Sequence, residues 1–249
     1  MSAENGGASP AILCVTHYKA GSSWIDTVLR RCAKGRVVIP RADLSQFLEE
    51  PVREGKVYPK LYVTKEQFDS VELPDNWRRF VVIRDLRDTM ISNYFSLKTT
   101  HRETQFSPEV RDFREKLNSS SVTDGLMLTL ERWVPTGAAE IQESWVNSGE
   151  TIYRFEDLLL GDLEPLERIL IEDCELPVPR ERLQRAMDSA SFSELSGGRE
   201  RGQEDLGSHW RKGVAGDWKN YFTAPLKDAV KERYGQLLID TGYEKDLDW

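Results

Sequence analysis

Ala11-Ile12-Leu13-Cys14-Val15-Thr16-His17-Tyr18-Lys19-Ala20-Gly21-Ser22-Ser23-Trp24 changes period in mid-course. Its first six residues are a short, mostly apolar run of the kind that forms a buried strand. Beyond Trp24, Ile25, Val28, Leu29 and Cys32 recur at helical spacing. The stretch therefore predicts strand, loop, helix, with Lys19, Gly21, Ser22 and Ser23 at the helix N-terminus. Free backbone N–H groups and the helix dipole favour an anion there, so a phosphate cradle is the mechanistic reading. Taken alone, the same residues would suit an ordinary Ser-capped helix after a strand. They are not a Walker A loop, which places its Lys after the second Gly, whereas Lys19 precedes the loop's single Gly.

Working outward, strands are expected at 37–39, 60–64, 80–83 and 151–155. Helical spacing is found near 44–48, 110–117, 163–173, 179–188 and 225–239, and over 124–147 with a break near Pro135. Strands alternating with helices imply an α/β fold, a P-loop-like single domain whose central parallel sheet is flanked by helices on both faces. No repeat or Pro-rich linker divides the chain, so one domain is expected over 11–249 after a disordered polar tail at 1–10.

The composition agrees. Of 249 residues, 39% are hydrophobic, with seven Trp and nine Phe, enough for a full core. A formal charge of −8 argues against a general nucleic-acid partner, so any anion site must be a local basic pocket. No charged start followed by an apolar run marks a secretory signal, and no run approaches the ~20 apolar residues that span a bilayer. A cytoplasmic protein with no membrane partner is expected. Cys14, Cys32 and Cys174 are widely spaced and lack metal-ligand partners, so they read as reduced thiols and no metal is expected. The sequence carries no signal for an oligomeric state.

A second basic stretch lies near the C-terminus, Arg211-Lys212-Gly213-Val214-Ala215-Gly216-Asp217-Trp218-Lys219-Asn220. Each Gly costs about 1 kcal/mol in a helix relative to Ala, which predicts a loop. Arg and Lys offer donors there while Gly lets the backbone approach a phosphate. By itself this would also suit a solvated charged turn. However, the run Arg211–Thr223 resembles, without a gap, the Arg-Lys-Gly-x-x-Gly-Asp-Trp-Lys-Asn-x-Phe-Thr signature of the cytosolic-type sulfotransferases. In that family the loop holds the 3′-phosphate of 3′-phosphoadenosine 5′-phosphosulfate.

Four further segments fit the resemblance. Tyr18–Trp24 is similar to the family's 5′-phosphosulfate loop, Pro-Lys-Ser-Gly-Thr-Thr-Trp, with Tyr18 in place of Pro. It implies that Lys19 stabilises the leaving 5′-phosphate and that Ala20, Gly21, Ser22 and Ser23 cradle it. Arg84–Tyr94 resembles the second nucleotide motif, with Asp85-Leu86 for Asn-Pro, and implies that Arg84 and Ser92 contact the 3′-phosphate alongside Arg211, Lys212 and Gly213. Phe155 and Phe192 fall at positions that imply packing on the purine, with Trp24 opposite.

One motif departs from the pattern. Anchored on Leu73-Pro74, the family's Lys-Thr-His lays onto Lys65-Glu66-Gln67, and a Gln cannot take a proton from an acceptor hydroxyl. Lys65 would hold the sulfuryl oxygens. Glu66 is the leading candidate base, as a carboxylate serves in some related branches, with His101 or His17 as alternatives, or an acceptor that needs none.

The resemblance thus implies a sulfotransferase using 3′-phosphoadenosine 5′-phosphosulfate as co-substrate, without metal, on a hydroxyl or amine of a small-molecule acceptor. The alternative is a non-catalytic nucleotide-binding relative that has lost its base. An ordinary P-loop kinase ranks last, because Walker A order is missing.

Overall fold

The computed structural model describes residues 9–41, 44–100, 108–159 and 162–249. The predicted tail therefore lies, through residue 8, outside the described residues. Pro10 is already buried, and its carbonyl accepts from Arg36 Nη2 at 3.0 Å.

The sheet is built from β1 (Ala11–Val15), β2 (Val57–Leu61), β3 (Trp77–Ile83) and β4 (Ile152–Arg154). The order is β2-β1-β3-β4, and each neighbouring pair is parallel. Every residue of β1 is fully buried, as a strand covered on both faces requires.

Alternation along the strands divides the core. Ile12, Cys14, Phe80 and Val82 face one layer, where they pack with α1 (Ser22–Cys32), α9 (Leu163–Glu167) and α10 (Arg180–Asp188). Ala11, Leu13, Val15, Val81 and Ile83 face the other, against Phe47 of α2 (Gln46–Glu49), Phe68 of α3 (Lys65–Asp69) and Trp145 of α7 (Glu140–Val146). A separate cluster joins α4 (Leu86–Phe95), α5 (Pro108–Ser119), α6 (Val122–Arg132) and α12 (Ala224–Asp240). Two short helices, α8 (Phe155–Leu159) and α11 (Phe192–Ser196), flank the loops at the strands' C-terminal ends. The fold is the expected α/β sandwich, and ligands in such sheets bind outside those carboxyl ends.

Two local expectations change, at 37–39 and 60–64, while the break expected near Pro135 is found. The segment 37–39 makes only an isolated bridge, Val37 to Val57. The helix over 124–147 is interrupted by a π-helical turn at Pro135–Ala139, where proline removes a backbone donor. The strand expected at 60–64 runs instead over Val57–Leu61. Thr64 has left it to cap α3: its hydroxyl accepts from Gln67 N–H, while Gln67 Oε1 accepts from Thr64 N–H at 2.9 Å. This is a capping box, and it turns Lys65-Glu66-Gln67 from strand exit into the first turn of a helix.

Candidate active site

The loop after β1 is shaped by two left-handed residues, Lys19 at φ 65° and Gly21 at φ 79°. A Cβ on Gly21 would sit 2.0 Å from the Phe155 ring, so only glycine fits beneath that ring. Ser22 begins α1, and the loop's amides lie at the helix N-terminus, as its sequence predicts. His17 pins the loop to the end of β3. Its Nε2 accepts from Arg84 N–H at 3.1 Å, which leaves the proton on Nδ1, 2.9 Å from the Tyr18 carbonyl. Burial pushes its pKa down to about 4. With both ring nitrogens engaged and the ring fully buried behind the cleft lining, His17 is a structural group.

Four cations converge around this loop. Lys19 Nζ donates to Ser96 Oγ at 3.0 Å. Burial, and then the charges of Arg84 and Arg211, lower its ammonium pKa to about 8. Arg84 Nη1 donates to the Lys19 carbonyl at 3.1 Å, and the guanidinium lies 5.6 Å from the Phe155 ring centroid. Its buried Nε has no hydrogen-bond partner, and the carboxylates of Asp88 and Glu156 stay 3.9 and 4.0 Å from the guanidinium. A buried cationic N–H left unsatisfied beside a cleft calls for an anionic acceptor.

The signature loop supplies the other two. Asp88, on α4, accepts from Gly216 N–H at 2.7 Å and Trp218 N–H at 3.0 Å, which fixes the loop across α4. Arg87 stacks between Trp218 and Trp249, with its guanidinium carbon 4.0 and 4.4 Å from the ring centroids, and it pairs with Asp85 and Glu244. Within the loop, Asp217 accepts from Lys212 Nζ at 2.6 Å and also pairs with Arg211. Burial works against that carboxylate, but hydrogen bonds from Lys212, Arg211 and Asn220 outweigh it and hold its pKa below the usual value. Gly213, at φ 67°, lets the Phe192 ring approach to 2.3 Å of where a Cβ would stand.

These elements enclose one cleft of about 870 Å³. Lys19 and Gly21 line it from the first loop, Ser22, Ser23 and Trp24 from the first turn of α1, Arg84 from just past β3 and Ser92 from α4. Phe155, Phe192, Arg211, Lys212 and Gly213 complete that end. Ala20 is fully buried behind the loop and does not line the cleft. Trp24 and Phe155 meet edge to face at 6.0 Å, with the indole N–H held by the Ala190 carbonyl at 3.0 Å. The planar, cationic end therefore fits a purine nucleotide with more than one phosphate. The other end is more apolar, lined by Tyr18, Tyr62, Ile39, Leu97 and Trp133.

Lys65 and Glu66 are not brought to this cleft, and their expected placement is corrected here. Both sit on α3 and neither lines the cleft. The Lys65 ammonium pairs with Asp69 at 2.5 Å and lies 5.8 Å from the Trp145 ring centroid. The cause is the Thr64–Gln67 capping box, whose Thr-x-x-Gln pattern is visible in the sequence and would have located the helix start. His101 lies outside the described residues. Tyr62, which sequence reasoning missed, does reach the cleft: its hydroxyl is 2.5 Å from Ser22 Oγ. The signal was the alternation of Lys60 and Tyr62 on one face of the chain leaving β2, since both line the cleft. Among the described residues no group of three or more His, Cys, Asp or Glu could hold a metal ion. No helix of these residues is long and apolar enough to cross a membrane.

Comparison with known proteins agrees with this geometry. The cytosolic sulfotransferase 10 of Arabidopsis thaliana is 24% identical over 88% of this chain and 75% of its own length. Sulfotransferase 1 family member D1 of Mus musculus is 22% identical over 92% of this chain and 84% of its own. Among solved structures, a mouse sulfotransferase complexed with PAP superposes with a TM-score of 0.65 at 18% identity, covering 92% of this chain and 84% of that one. Retinol dehydratase in complex with androsterone and PAP gives 0.58 at 14% identity, covering 96% and 83%. These likenesses show a shared fold. The family model of the sulfotransferase domain matches residues 9–242, nearly the whole chain, and on that extent the protein belongs to the sulfotransferase family.

Proposed function

We propose that this chain transfers a sulfuryl group from 3′-phosphoadenosine 5′-phosphosulfate to a hydroxyl or amine of a small-molecule acceptor. The observation that carries the reading is the convergence of Lys19, Arg84, Arg211 and Lys212 on one cleft of a protein whose formal charge is −8. Arg84, with its unpartnered Nε, together with Ser92, Arg211, Lys212 and Gly213, would hold the 3′-phosphate. Ser23 and the amides of the first loop, that of Ser22 included, would hold the 5′-phosphate at the N-terminus of α1. Trp24, Phe155 and Phe192 form the walls for the purine.

The donor supplies an activated sulfuryl group. The bond from sulfur to the acceptor oxygen or nitrogen forms as the bridging S–O bond breaks, its electron pair stays on the 5′-phosphate, and the acceptor's proton leaves. Lys19 meets the charge that develops on that phosphate, a preorganised donor of the kind that acts mainly in the transition state. The Tyr18 and Trp133 end of the cleft receives the acceptor. The name of the Arabidopsis relative and the sequence together support a cytoplasmic location.

The test is a thermal-shift titration with 3′-phosphoadenosine 5′-phosphate beside AMP and ATP with Mg2+. At ~100 times its dissociation constant the bisphosphate should stabilise the fold by about 2.7 kcal/mol, and AMP should not reproduce the effect. A response to ATP and Mg2+ alone would sink the reading. Sulfuryl release from the labelled donor then separates an enzyme from a nucleotide-binding relative without activity.

A further inference from the structure

The family resemblance places a lysine and a base beside the transferring sulfuryl group, and α3 carries both candidates away from the cleft. The position at the end of β2 is nevertheless filled. Leu61 closes the strand, its carbonyl accepting from Thr16 N–H at 2.9 Å, so the next residue projects beside the turn into the anion loop. That residue is Tyr62. Its hydroxyl meets Ser22 Oγ at 2.5 Å, and Ser22 is the first residue of α1, buried beneath the loop.

Two contacts fix the phenol there. Its ring packs edge to face on Tyr18 at a centroid distance of 4.4 Å, and Tyr18 N–H donates to the Gly137 carbonyl at 3.3 Å. Two residues back, Lys60 Nζ pairs with Asp26 of α1 at 3.1 Å, which holds this stretch of chain in register against α1. Tyr62 therefore stands between the part of the cleft that fits the 5′-phosphate and the part that fits the acceptor.

We propose that Tyr62, its oxygen accepting from the Ser22 hydroxyl so that its own O–H stays free, is the catalytic residue of this chain that donates a hydrogen bond to the sulfuryl oxygens in the transition state. This rests on the sulfotransferase reading above. Burial raises the phenol's pKa above its ordinary 10, so it stays protonated and acts as a donor, not as a base. The step is unchanged in its balance: the acceptor S–O or S–N bond forms, the bridging S–O bond breaks, the electron pair stays on the 5′-phosphate, and the acceptor's proton goes to water. Tyr62 keeps its own proton throughout. A lysine at this station would add charge, whereas a phenol adds direction only, and Lys19 remains the cation there.

The experiment compares wild type, Tyr62→Phe and Tyr62→Lys in two measurements. The first is release of labelled sulfate or sulfated product from saturating donor, with water and with 2-naphthol as acceptors. Tyr62→Phe should lower kcat about 100-fold in both with KM for the donor unchanged, the loss typical of one transition-state donor. Tyr62→Lys should recover part of it. The second is calorimetric binding of 3′-phosphoadenosine 5′-phosphate with and without vanadate, a five-coordinate mimic of the group in flight. Vanadate should tighten binding to wild type and not to Tyr62→Phe, while the bisphosphate alone binds both within twofold. Full turnover by Tyr62→Phe, or a loss confined to donor affinity, overturns the proposal. So does a wild type that binds the bisphosphate without accelerating release over buffer. A wild type that does not bind it overturns the sulfotransferase reading itself. Should Tyr62→Phe fail to fold, Tyr62→Leu, which also lacks a donor, takes its place beside Tyr62→Lys: a loss of kcat and of vanadate enhancement in Tyr62→Leu that Tyr62→Lys partly restores upholds the donor, and full turnover by Tyr62→Leu, or a loss confined to bisphosphate affinity, overturns it.

Discussion

Lys19 Nζ donates to Ser96 Oγ at 3.0 Å, tying the first anion loop to the π-helical turn Ser96–Thr100 that follows α4. The ammonium is thus parked on a neutral hydroxyl within the field of Arg84 and Arg211. Lys19→Met should lower kcat with saturating donor by about 10² to 10³. A steady-state assay at fixed acceptor checks it.

The same surroundings make a pH prediction. Lys19 titrates at about 8 in the folded protein against an ordinary 10.5. Between those values the unfolded chain holds the proton and the folded one does not, so this group makes stability rise with pH across that window. A bound anion favours the ammonium, so binding of 3′-phosphoadenosine 5′-phosphate should take up protons above pH 8. Calorimetry in buffers of different ionisation enthalpy measures that uptake, and Lys19→Met should abolish it.

Asp217 clamps Arg211 and Lys212 and titrates below its ordinary 3.8. Its contribution is complete above that value and is lost as pH falls through the lower, folded-state pKa. Asp217→Asn should cost about 2 kcal/mol at pH 7, the scale of hydrogen bonds to charged groups, and weaken bisphosphate binding about tenfold. Denaturant titrations at pH 7 and in acid should show the gap between variant and wild type closing as the carboxylate is protonated.

Gly21 carries the Phe155 ring where a Cβ would stand, at a positive φ. Gly21→Ala combines left-handed strain with overpacking and should cost about 3 kcal/mol. Thermal unfolding reads the loss, and bisphosphate affinity should fall with it because the ring must move into the cleft.

Lys65 and Glu66 provide the contrast. Lys65→Met and Glu66→Gln should each leave kcat within about threefold of wild type, because their side chains stand on α3 away from the cleft. A hundredfold loss in either would place α3 in the reaction after all.

The sequence by itself determined the α/β class, the order of its elements and the residues that gather at the cationic end of the cleft. Those features are local: the period of apolar residues makes the strand and helix around Lys19, and contiguous motifs place Arg84, Ser92 and Arg211–Gly213 on single turns. Only tertiary structure decided which side chain beyond β2 reaches the cleft. Whether Lys65 or Tyr62 reaches the cleft depends on where β2 stops. That is set by pairing with β1, Ile12 opposite Val57 and Leu13 opposite Tyr58, and by the Thr64–Gln67 cap that closes the strand. A shift of a few residues along a strand carries a different side chain to the same point, and pairing across the sheet, which motif spacing does not record, selects which one arrives.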